Sequence, residues 1–129
     1  MDFISEKITT RISTVQLRED DVLLIDIKKD EAFGINDMWD LIEAARKIGN
    51  GKRFLNLIIV GAHTTPDESS RILSTSVEGS IYKIADAFVI NSLSQVLVAN
   101  FYMKFNKPYV PTRFFKNVKD AEKWLYQFK

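Results

Sequence analysis

The sequence predicts a single α/β domain, residues 1–129, with a mixed and mostly parallel β-sheet. Strand-like and helix-like segments alternate along most of the chain, which is typical of βα units joined by right-handed crossovers. The nearly all-apolar run FLNLIIV, residues 54–60, is typical of a strand buried on both faces. Two strand-like segments separated by a short charged turn open the chain, and they predict an N-terminal antiparallel hairpin.

The hairpin comes first in the chain. Residues 8–17, ITTRISTVQL, are rich in β-branched side chains and predict one strand. The apolar phase slips between Ile12 and Val15, where we expect a bulge or a bend. The charged turn REDD, residues 18–21, then leads into a second strand, VLLIDI, at residues 22–27.

A helix follows a loop at residues 28–35. Asn36 is a plausible N-cap and Gly49 a plausible stop, so we expect the helix over residues 36–48. Apolar side chains at helical spacing support this helix: Met38, Leu41, Ile42, Ala45 and Ile48. The buried strand at residues 54–60 comes next.

The tetrapeptide TPDE predicts the start of a second helix. Thr65 fits the N-cap, Pro66 the first helical position and Glu68 the third, which together form a capping box. We expect this helix to cover ESSRILSTS and to extend toward Tyr82 after a break near Gly79.

A short strand is expected at ADAFVI, residues 85–90, and a third helix after it. Ser92 and Gln95 in SLSQ form a second capping box at the start of this helix. The helix places large apolar side chains on one stripe, with Val96 beside it: Leu93, Leu97, Phe101 and Phe105.

The segment NFYMKFNKPYVPTRFF, residues 100–115, is interpreted as a helix-to-strand turn. We expect Asn106 to adopt a left-handed conformation at the helix end, and Pro108 cannot continue the helix. Pro111 begins a short strand over residues 111–115. A closing helix at 117–128, capped by Asn117, directs these side chains inward: Val118, Ala121, Trp124, Leu125 and Phe128.

Composition narrows the range of functions. The chain has no cysteine, which excludes disulfides, thiolate zinc sites and a cysteine nucleophile. Its 18 basic and 17 acidic residues are interspersed and give a net charge of +1, which argues against nucleic acid as a partner. No apolar run approaches the ~20 residues of a transmembrane helix, and MDFISEKITT does not resemble a signal peptide. We therefore expect a cytoplasmic protein.

Residues 87–125 resemble the C-terminal half of small bacterial proteins with the SpoIIAA-like fold. This is the fold of STAS domains, which occur in anti-sigma factor antagonists and sulphate transporters. The resemblance lies in Asn100-Phe101-Tyr102, in Phe105-Asn106-Lys107-Pro108, in the residues from Pro111 to Phe115 and in Trp124-Leu125. It implies the fold of the whole chain, since the order of elements also agrees.

The resemblance also implies a phosphorylation switch. In STAS antagonists a kinase modifies a Ser or Thr at the start of the helix after the central strand, within an Asp-Ser-Ser/Thr-Gly motif. The equivalent stretch here, GAHTTPDESS, lacks that motif but offers four hydroxyls: Thr64, Thr65, Ser69 and Ser70. Asp67 and Glu68 would repel a phosphate there. Helix capping by Thr65 and exposure of Ser69 and Ser70 are the simpler interpretation.

His63 is the only histidine, and it follows the buried strand at the edge where α/β proteins often bind ligands. A catalytic role needs a nucleophile or an orienting acid, and a metal site needs several ligands. Asp67 and Glu68 are close in sequence, but helix capping already explains them. We therefore expect a loop residue, with no metal and no catalytic group.

Two further groups of residues are candidates for a ligand or partner surface. The first is basic and could hold an anion, although solvated charge explains it as well: Lys104, Lys107, Arg113 and Lys116. The second is aromatic: Trp39, Phe101, Tyr102 and Tyr109. These rings could line a pocket for a small molecule or lipid, as in Sec14-type domains of similar topology, or form an oligomer face.

The leading functional hypothesis is a non-enzymatic, STAS-like module for protein–protein interaction or regulation. A carrier or sensor of a small ligand is the second hypothesis, and an enzyme ranks last because no nucleophile–base pair or nucleotide motif was found. We expect a protein partner of unknown identity and no cofactor. The sequence does not decide whether the chain forms a homodimer.

Overall fold

The computed structural model describes all of residues 1–129 and contains eight strands and four α-helices. The strands are β1 (Ile8–Thr9), β2 (Ser13–Leu17), β3 (Val22–Ile27), β4 (Ala32–Phe33), β5 (Phe54–Val60), β6 (Thr65–Pro66), β7 (Lys83–Val89) and β8 (Thr112–Phe115). The helices are α1 (Ile35–Gly49), α2 (Glu68–Thr75), α3 (Leu93–Phe105) and α4 (Val118–Tyr126), and a single 3-10 turn occupies Glu78–Ser80.

Six strands form one sheet in the order β1-β2-β3-β5-β7-β8. The pairs β1–β2 and β2–β3 are antiparallel, and all pairs from β3 to β8 are parallel. β5 lies between two parallel neighbours, as its nearly continuous apolar run predicts. The predicted mixed, mostly parallel sheet with an N-terminal antiparallel hairpin is therefore confirmed.

The prediction of one strand over residues 8–17 was wrong, because the chain turns inside that segment. β1 folds back on β2 and pairs Ile8 with Val15. The backbone N–H of Thr10 donates to the carbonyl of Ser13 at 2.8 Å, and the N–H of Ser13 donates to Thr10 Oγ1 at 3.1 Å. Local hydroxyl hydrogen bonds thus replace the strand ladder, and β-branched composition alone does not reveal such a turn.

Thr65 and Pro66 do not begin a helix, which corrects the interpretation of TPDE as a capping box. They form β6, which pairs in parallel with β4. The N-cap of α2 is Asp67, whose Oδ1 accepts a hydrogen bond from the N–H of Ser70 at 2.8 Å. Thr65 and Asp67 are both residue types that can cap a helix, and the pairing of Thr65 with β4 leaves Asp67 as the cap.

Both ends of α1 also differ from the prediction. Gly34 rather than Asn36 is the N-cap, and its N–H donates to Asp37 Oδ2 at 2.9 Å. At the other end Asn50, with a φ of 50°, takes the left-handed position expected after the helix. Gly49 is the last helical residue. A Cβ at this position would lie 2.6 Å from the ring of Phe54, which explains why the residue is a glycine.

α3 begins at the predicted capping box, but the face that it buries is opposite to the stripe of large apolar residues. Gln95 Oε1 accepts hydrogen bonds from the N–H groups of Asn91 and Ser92. The buried side chains of α3 are Gln95, Ala99 and Tyr102, and its large apolar stripe is exposed. Because α3 is apolar around most of its circumference, spacing alone does not select the buried face.

The end of α3 differs in detail from the prediction. Asn106 has right-handed backbone angles, and Lys107, with a φ of 42°, takes the left-handed position that we expected for Asn106. The strand that follows begins at Thr112, one residue after Pro111.

The two faces of the sheet carry separate cores. On one face α1 packs over β2, β3 and β5, where Ile12, Leu23 and Ile58 are buried. On the other face α4 packs over β5 and β7, and its Ala121 and Leu125 are completely buried, as predicted.

Candidate functional site

A cavity of about 110 Å³ lies between the sheet and helices α1, α2 and α3. Side chains alternate between the faces of a strand, so β5 contributes Asn56, Ile58 and Val60 to the cavity and directs Leu55, Leu57 and Ile59 toward α4. By the same alternation β7 contributes Asp86 and Phe88. The sheet wall is therefore mainly apolar, with three polar side chains: Asn56, Asp86 and Lys83, the first residue of β7.

The helices close the other walls. α1 contributes Met38 and Leu41, and α3 contributes Ala99 and Tyr102. Both residues of α3 are buried, and the ring of Tyr102 packs edge-to-face against Phe88 and Phe114 of the sheet. The cavity is thus built from the side of α3 that the sequence analysis had not predicted to be buried.

Five polar side chains in the lining of this cavity form a connected cluster, which we call the polar cluster: Asn56, Asp86, Lys83, Ser74 and Tyr102. Asn56 Nδ2 donates to Asp86 Oδ1 at 2.8 Å, and Lys83 Nζ lies 2.8 Å from Asp86 Oδ2. Lys83 Nζ also donates to the carbonyl of Ser74 at 3.0 Å, and the hydroxyl of Tyr102 donates to Ser74 Oγ at 2.8 Å. The cluster links β5, β7, α2 and α3.

Burial raises the pKa of Tyr102 above its ordinary value, and the hydrogen bond to Ser74 opposes that change only in part. The phenol therefore stays protonated at neutral pH and acts as a hydrogen-bond donor. Lys83 and Asp86 are both largely buried, and their contact at 2.8 Å lets each charge compensate the other.

Asn56 Oδ1 accepts no hydrogen bond from the protein, although Asn56 is only 3% exposed. The orientation of the amide follows from its neighbour, since a flipped amide would place an oxygen against the carboxylate of Asp86. Nearly all buried side-chain oxygens in proteins accept a hydrogen bond. The cavity thus contains one buried acceptor with no donor from the protein.

His63 lies outside the cavity, on an exposed loop. Its Nδ1 is 2.8 Å from Asp30 Oδ1, both side chains are mainly exposed, and both residues have positive φ angles. His63 is therefore hydrogen-bonded to Asp30, and Asp67 but not Glu68 lines the same surface groove. No three or more His, Cys, Asp or Glu side chains are grouped so that they could hold a metal ion.

The four hydroxyl candidates near the start of α2 differ in accessibility. Thr64 is 1% exposed, and its Oγ1 donates to the carbonyl of Lys28 while accepting from the N–H of Glu31. Ser70 is completely buried, with its hydroxyl 3.4 Å from the carbonyl of Phe33, so the predicted exposure of Ser70 was wrong, and Thr65 is half-buried. Ser69 alone among them is exposed.

The residues predicted to form a ligand or partner surface are separated in the fold. Tyr102 lines the cavity, and Phe101, the next residue, is 47% exposed on the other side of α3. Lys107 and Tyr109 lie exposed in the turn after α3. Arg113 lies on the opposite face of the sheet, with its guanidinium 5.4 Å from the ring centre of Phe115.

The outer face of α3 is an exposed apolar surface, and we define it by four residues: Leu93, Leu97, Phe101 and Phe105. They are 75%, 61%, 47% and 61% exposed, respectively. The rings of Phe101 and Phe105 lie 4.6 Å apart, so the apolar surface is continuous. The guanidinium of Arg71 on α2 lies 5.3 Å from the Phe101 ring centre.

A buried ionic cluster ties the N-terminal hairpin to α4, and the sequence analysis missed it. Arg18, which is 6% exposed, contacts Asp20 at 2.7 Å and Glu122 at 2.6 Å. The hydroxyl of Tyr126 donates to Asp20 Oδ2 at 2.7 Å. Burial alone would raise the pKa of Asp20, but the hydrogen bonds from Arg18 and Tyr126 outweigh it and lower that pKa.

Asn56 and Asp86 were also missed, although each left a signal in the sequence. Asn56 interrupts the apolar run FLNLIIV, and Asp86 interrupts ADAFVI. A polar residue inside a buried strand needs a partner or a ligand. Their pairing depends on the register of β5 against β7, where Asn56 lies opposite Asp86.

None of the four α-helices combines the length and the apolar character that a bilayer-spanning helix requires. No curated protein matches this chain.

Two comparisons with known proteins gave matches. The sequence family described as "Domain of unknown function (DUF7793)" matches residues 15–129. Among solved structures, the chain is similar to an uncharacterized protein of the DUF3478 family with a SpoIIAA-like fold from Shewanella loihica PV-4. The TM-score is 0.57 at 12% sequence identity, over 96% of this chain and 94% of that one. The SpoIIAA-like fold that the sequence resemblance implied is therefore confirmed.

Proposed function

This chain belongs to the DUF7793 family, a domain of unknown function, and we propose that it is a non-enzymatic, STAS-like interaction module of the cytoplasm. The observation that carries the proposal is the outer face of α3, where four large apolar side chains are exposed side by side. Exposed apolar patches of this kind mark interaction surfaces in soluble proteins. We further propose that one domain, residues 1–129, is sufficient for the interaction.

The charges around the outer face of α3 favour an acidic partner. No Asp or Glu occurs between Asp86 and Asp120, and Lys104 and Lys107 are exposed at the end of α3. Arg71 adds a further cation beside Phe101. We therefore propose that the partner is an amphipathic segment of another protein, with an apolar stripe and flanking carboxylates.

A second copy of this chain fits the same surface less well. Two copies that met through the outer face of α3 would join two basic surfaces, since Arg71, Lys104 and Lys107 surround that face and residues 87–119 contain no carboxylate to offset them. Like charges across an interface are unfavourable and suppress such pairing. The charge pattern thus favours a heterologous partner over a homodimer.

The test replaces Phe101 with a photo-crosslinking phenylalanine analogue in the source cells. The matched control places the same analogue at Lys119, which is exposed on α4. We expect a partner captured from position 101 and not from 119. The purified partner should then bind the wild-type chain, and binding should weaken about 10-fold or more in Leu97→Ser, because a central apolar contact is lost.

The control variant Lys119→Ser should leave the affinity unchanged, and added salt should weaken binding of the acidic partner. An affinity insensitive to Leu97→Ser would contradict the proposal. Analytical ultracentrifugation tests whether a second copy of the chain binds the outer face of α3 instead. A wild-type dimer that dissociates in Leu97→Ser would identify such a second copy and overturn the assignment of an acidic partner.

The cavity supports a second candidate function, a carrier or sensor of a small molecule. This candidate was first suggested by aromatic residues, of which only Tyr102 lines the cavity. Trp39, Phe101 and Tyr109 are exposed instead. What favours the candidate now is the combination of apolar walls with a small polar cluster, an arrangement typical of ligand sites.

A further inference from the structure

We propose that the cavity binds a small uncharged molecule with an apolar body and one O–H or N–H group, which donates a hydrogen bond to Asn56 Oδ1. This inference rests on the second candidate function, since it names the class of ligand that such a carrier or sensor would take. Three properties of the cavity carry it: a buried acceptor, a balanced charge pair and a limited volume.

The acceptor determines which polar group the ligand carries. Asn56 Nδ2 is already engaged by Asp86, so the amide offers only its oxygen to the cavity. An oxygen accepts and does not donate, and a ligand group therefore needs a proton on oxygen or nitrogen to pair with it. A ligand that offered only an acceptor, such as an ether, would leave Asn56 Oδ1 unpaired.

The charge pair determines that the polar end is uncharged. Lys83 and Asp86 lie 2.8 Å apart in the wall beside Asn56 and compensate each other. A charged group next to Asn56 would find no free counter-charge there, and burying it would be unfavourable. Arg71 also lines the cavity, and its Nε has no partner, but it lies on α2, where its Nη1 donates to the carbonyl of Pro66 at 2.8 Å and its guanidinium lies 5.3 Å from the ring centre of Phe101.

The volume determines the size of the ligand. The cavity measures about 110 Å³. An engineered apolar cavity of about 150 Å³ in another protein binds benzene. A molecule with a single six-membered ring is therefore near the upper limit, and phenol combines that size with one hydroxyl donor.

The experiment measures the affinity of the wild-type chain for four probes by isothermal titration calorimetry. Phenol carries the donor, toluene has a similar shape without it, anisole has an acceptor only, and benzoate carries a charge. We expect phenol to bind at least about fivefold more tightly than toluene and anisole, because one additional buried hydrogen bond is formed. We expect benzoate to bind more weakly than phenol.

Asn56→Leu provides the matched variant, since it keeps the volume and removes the acceptor. In this variant phenol and toluene should bind with affinities within about twofold of each other, because neither then finds a partner. Ala99→Leu, which fills the cavity from α3, should weaken binding of both probes. Circular dichroism on each variant confirms that it is folded, and the comparison of probes on the wild-type chain needs no variant.

The outcomes separate this inference from the candidate function on which it rests. Equal affinities of phenol and toluene for the wild-type chain would overturn the donor requirement and leave a carrier of apolar molecules. Tighter binding of benzoate would overturn the uncharged class. No binding of any probe would overturn both the inference and the carrier, and would assign Asn56 Oδ1 to water.

Discussion

Asp37 illustrates how a single buried carboxylate organises a local structure. Oδ1 of Asp37 accepts a hydrogen bond from Arg11 Nε at 2.9 Å. Oδ2 accepts one hydrogen bond from Arg11 Nη2 at 2.8 Å and another from the N–H of Gly34. Arg11 lies in the turn that interrupts the first predicted strand. The pair thus fastens that turn to the start of α1.

Hydrogen bonds from Arg11 lower the pKa of Asp37, with a further contribution from Gly34, and they outweigh the opposing effect of burial. An unfolded Asp has a pKa of about 3.9, so the unfolded chain binds a proton at this site more readily than the folded one. The stabilisation is therefore fully present above about pH 4 and is lost as the pH falls through the folded pKa.

We expect Asp37→Asn to lower the free energy of unfolding at pH 7 and to reduce the decline of that free energy below about pH 4. Urea denaturation across this pH range measures both effects. Asp40→Asn, an exposed position one turn away on α1, is the control and should retain the wild-type pH dependence. Parallel pH profiles for the wild-type chain and Asp37→Asn would show that the pair does not contribute.

At the scale of elements, α3 and α4 contrast in how they use apolar side chains. Ala121 and Leu125 of α4 are completely buried against β5 and β7. The large apolar residues of α3 mostly face solvent, and the helix covers the sheet with Gln95, Ala99 and Tyr102. Packing therefore determines the stability of α4, and the outer face of α3 is available for a partner.

We expect Leu125→Ala to lower the free energy of unfolding by about 2–5 kcal/mol, because it leaves a cavity in a closed core. The matched variant Leu97→Ala removes the same atoms from an exposed site and should change that free energy by no more than about 0.5 kcal/mol. Chemical denaturation of both variants gives the comparison. A large loss for Leu97→Ala would mean that the outer face of α3 is packed in solution.

At the scale of the whole molecule, the cluster around Arg18 joins parts of the chain that are far apart in sequence. Arg18 follows β2, and its partners Glu122 and Tyr126 lie on α4. The guanidinium is almost completely buried, so its removal would leave Asp20 and Glu122 close together without a cation. Such a contact fastens the N-terminal hairpin to the C-terminal helix.

We expect Arg18→Met to lower the free energy of unfolding by about 3 kcal/mol, because it leaves two partly buried carboxylates unpaired. Hydrogen exchange of the α4 amides should accelerate with it. Arg113→Met removes an exposed arginine and serves as the control, and adding Asp20→Asn to Arg18→Met should restore part of the loss. Unchanged hydrogen exchange of the α4 amides would show that Arg18 does not hold the N-terminal hairpin against α4.

The sequence by itself predicted the class of fold, the order of the main elements and the antiparallel start of the sheet. These properties depend on local composition and periodicity, such as the apolar run of β5 and the capping residues Ser92 and Asn117. The prediction of helix ends was less accurate where two residues could serve as the cap, as at Thr65 and Asp67, because β-pairing with a distant segment decided between them.

The buried face of α3 and the set of polar residues that meet in the cavity depend on tertiary packing. An apolar helix offers several faces to a sheet, and Tyr102 is buried because its ring packs against Phe88 of β7 and Phe114 of β8. The pairing of Asn56 with Asp86 follows from strand register, and that of Arg18 with Glu122 from helix docking. Contacts between distant segments depend on how the elements assemble, which no local pattern of residues encodes.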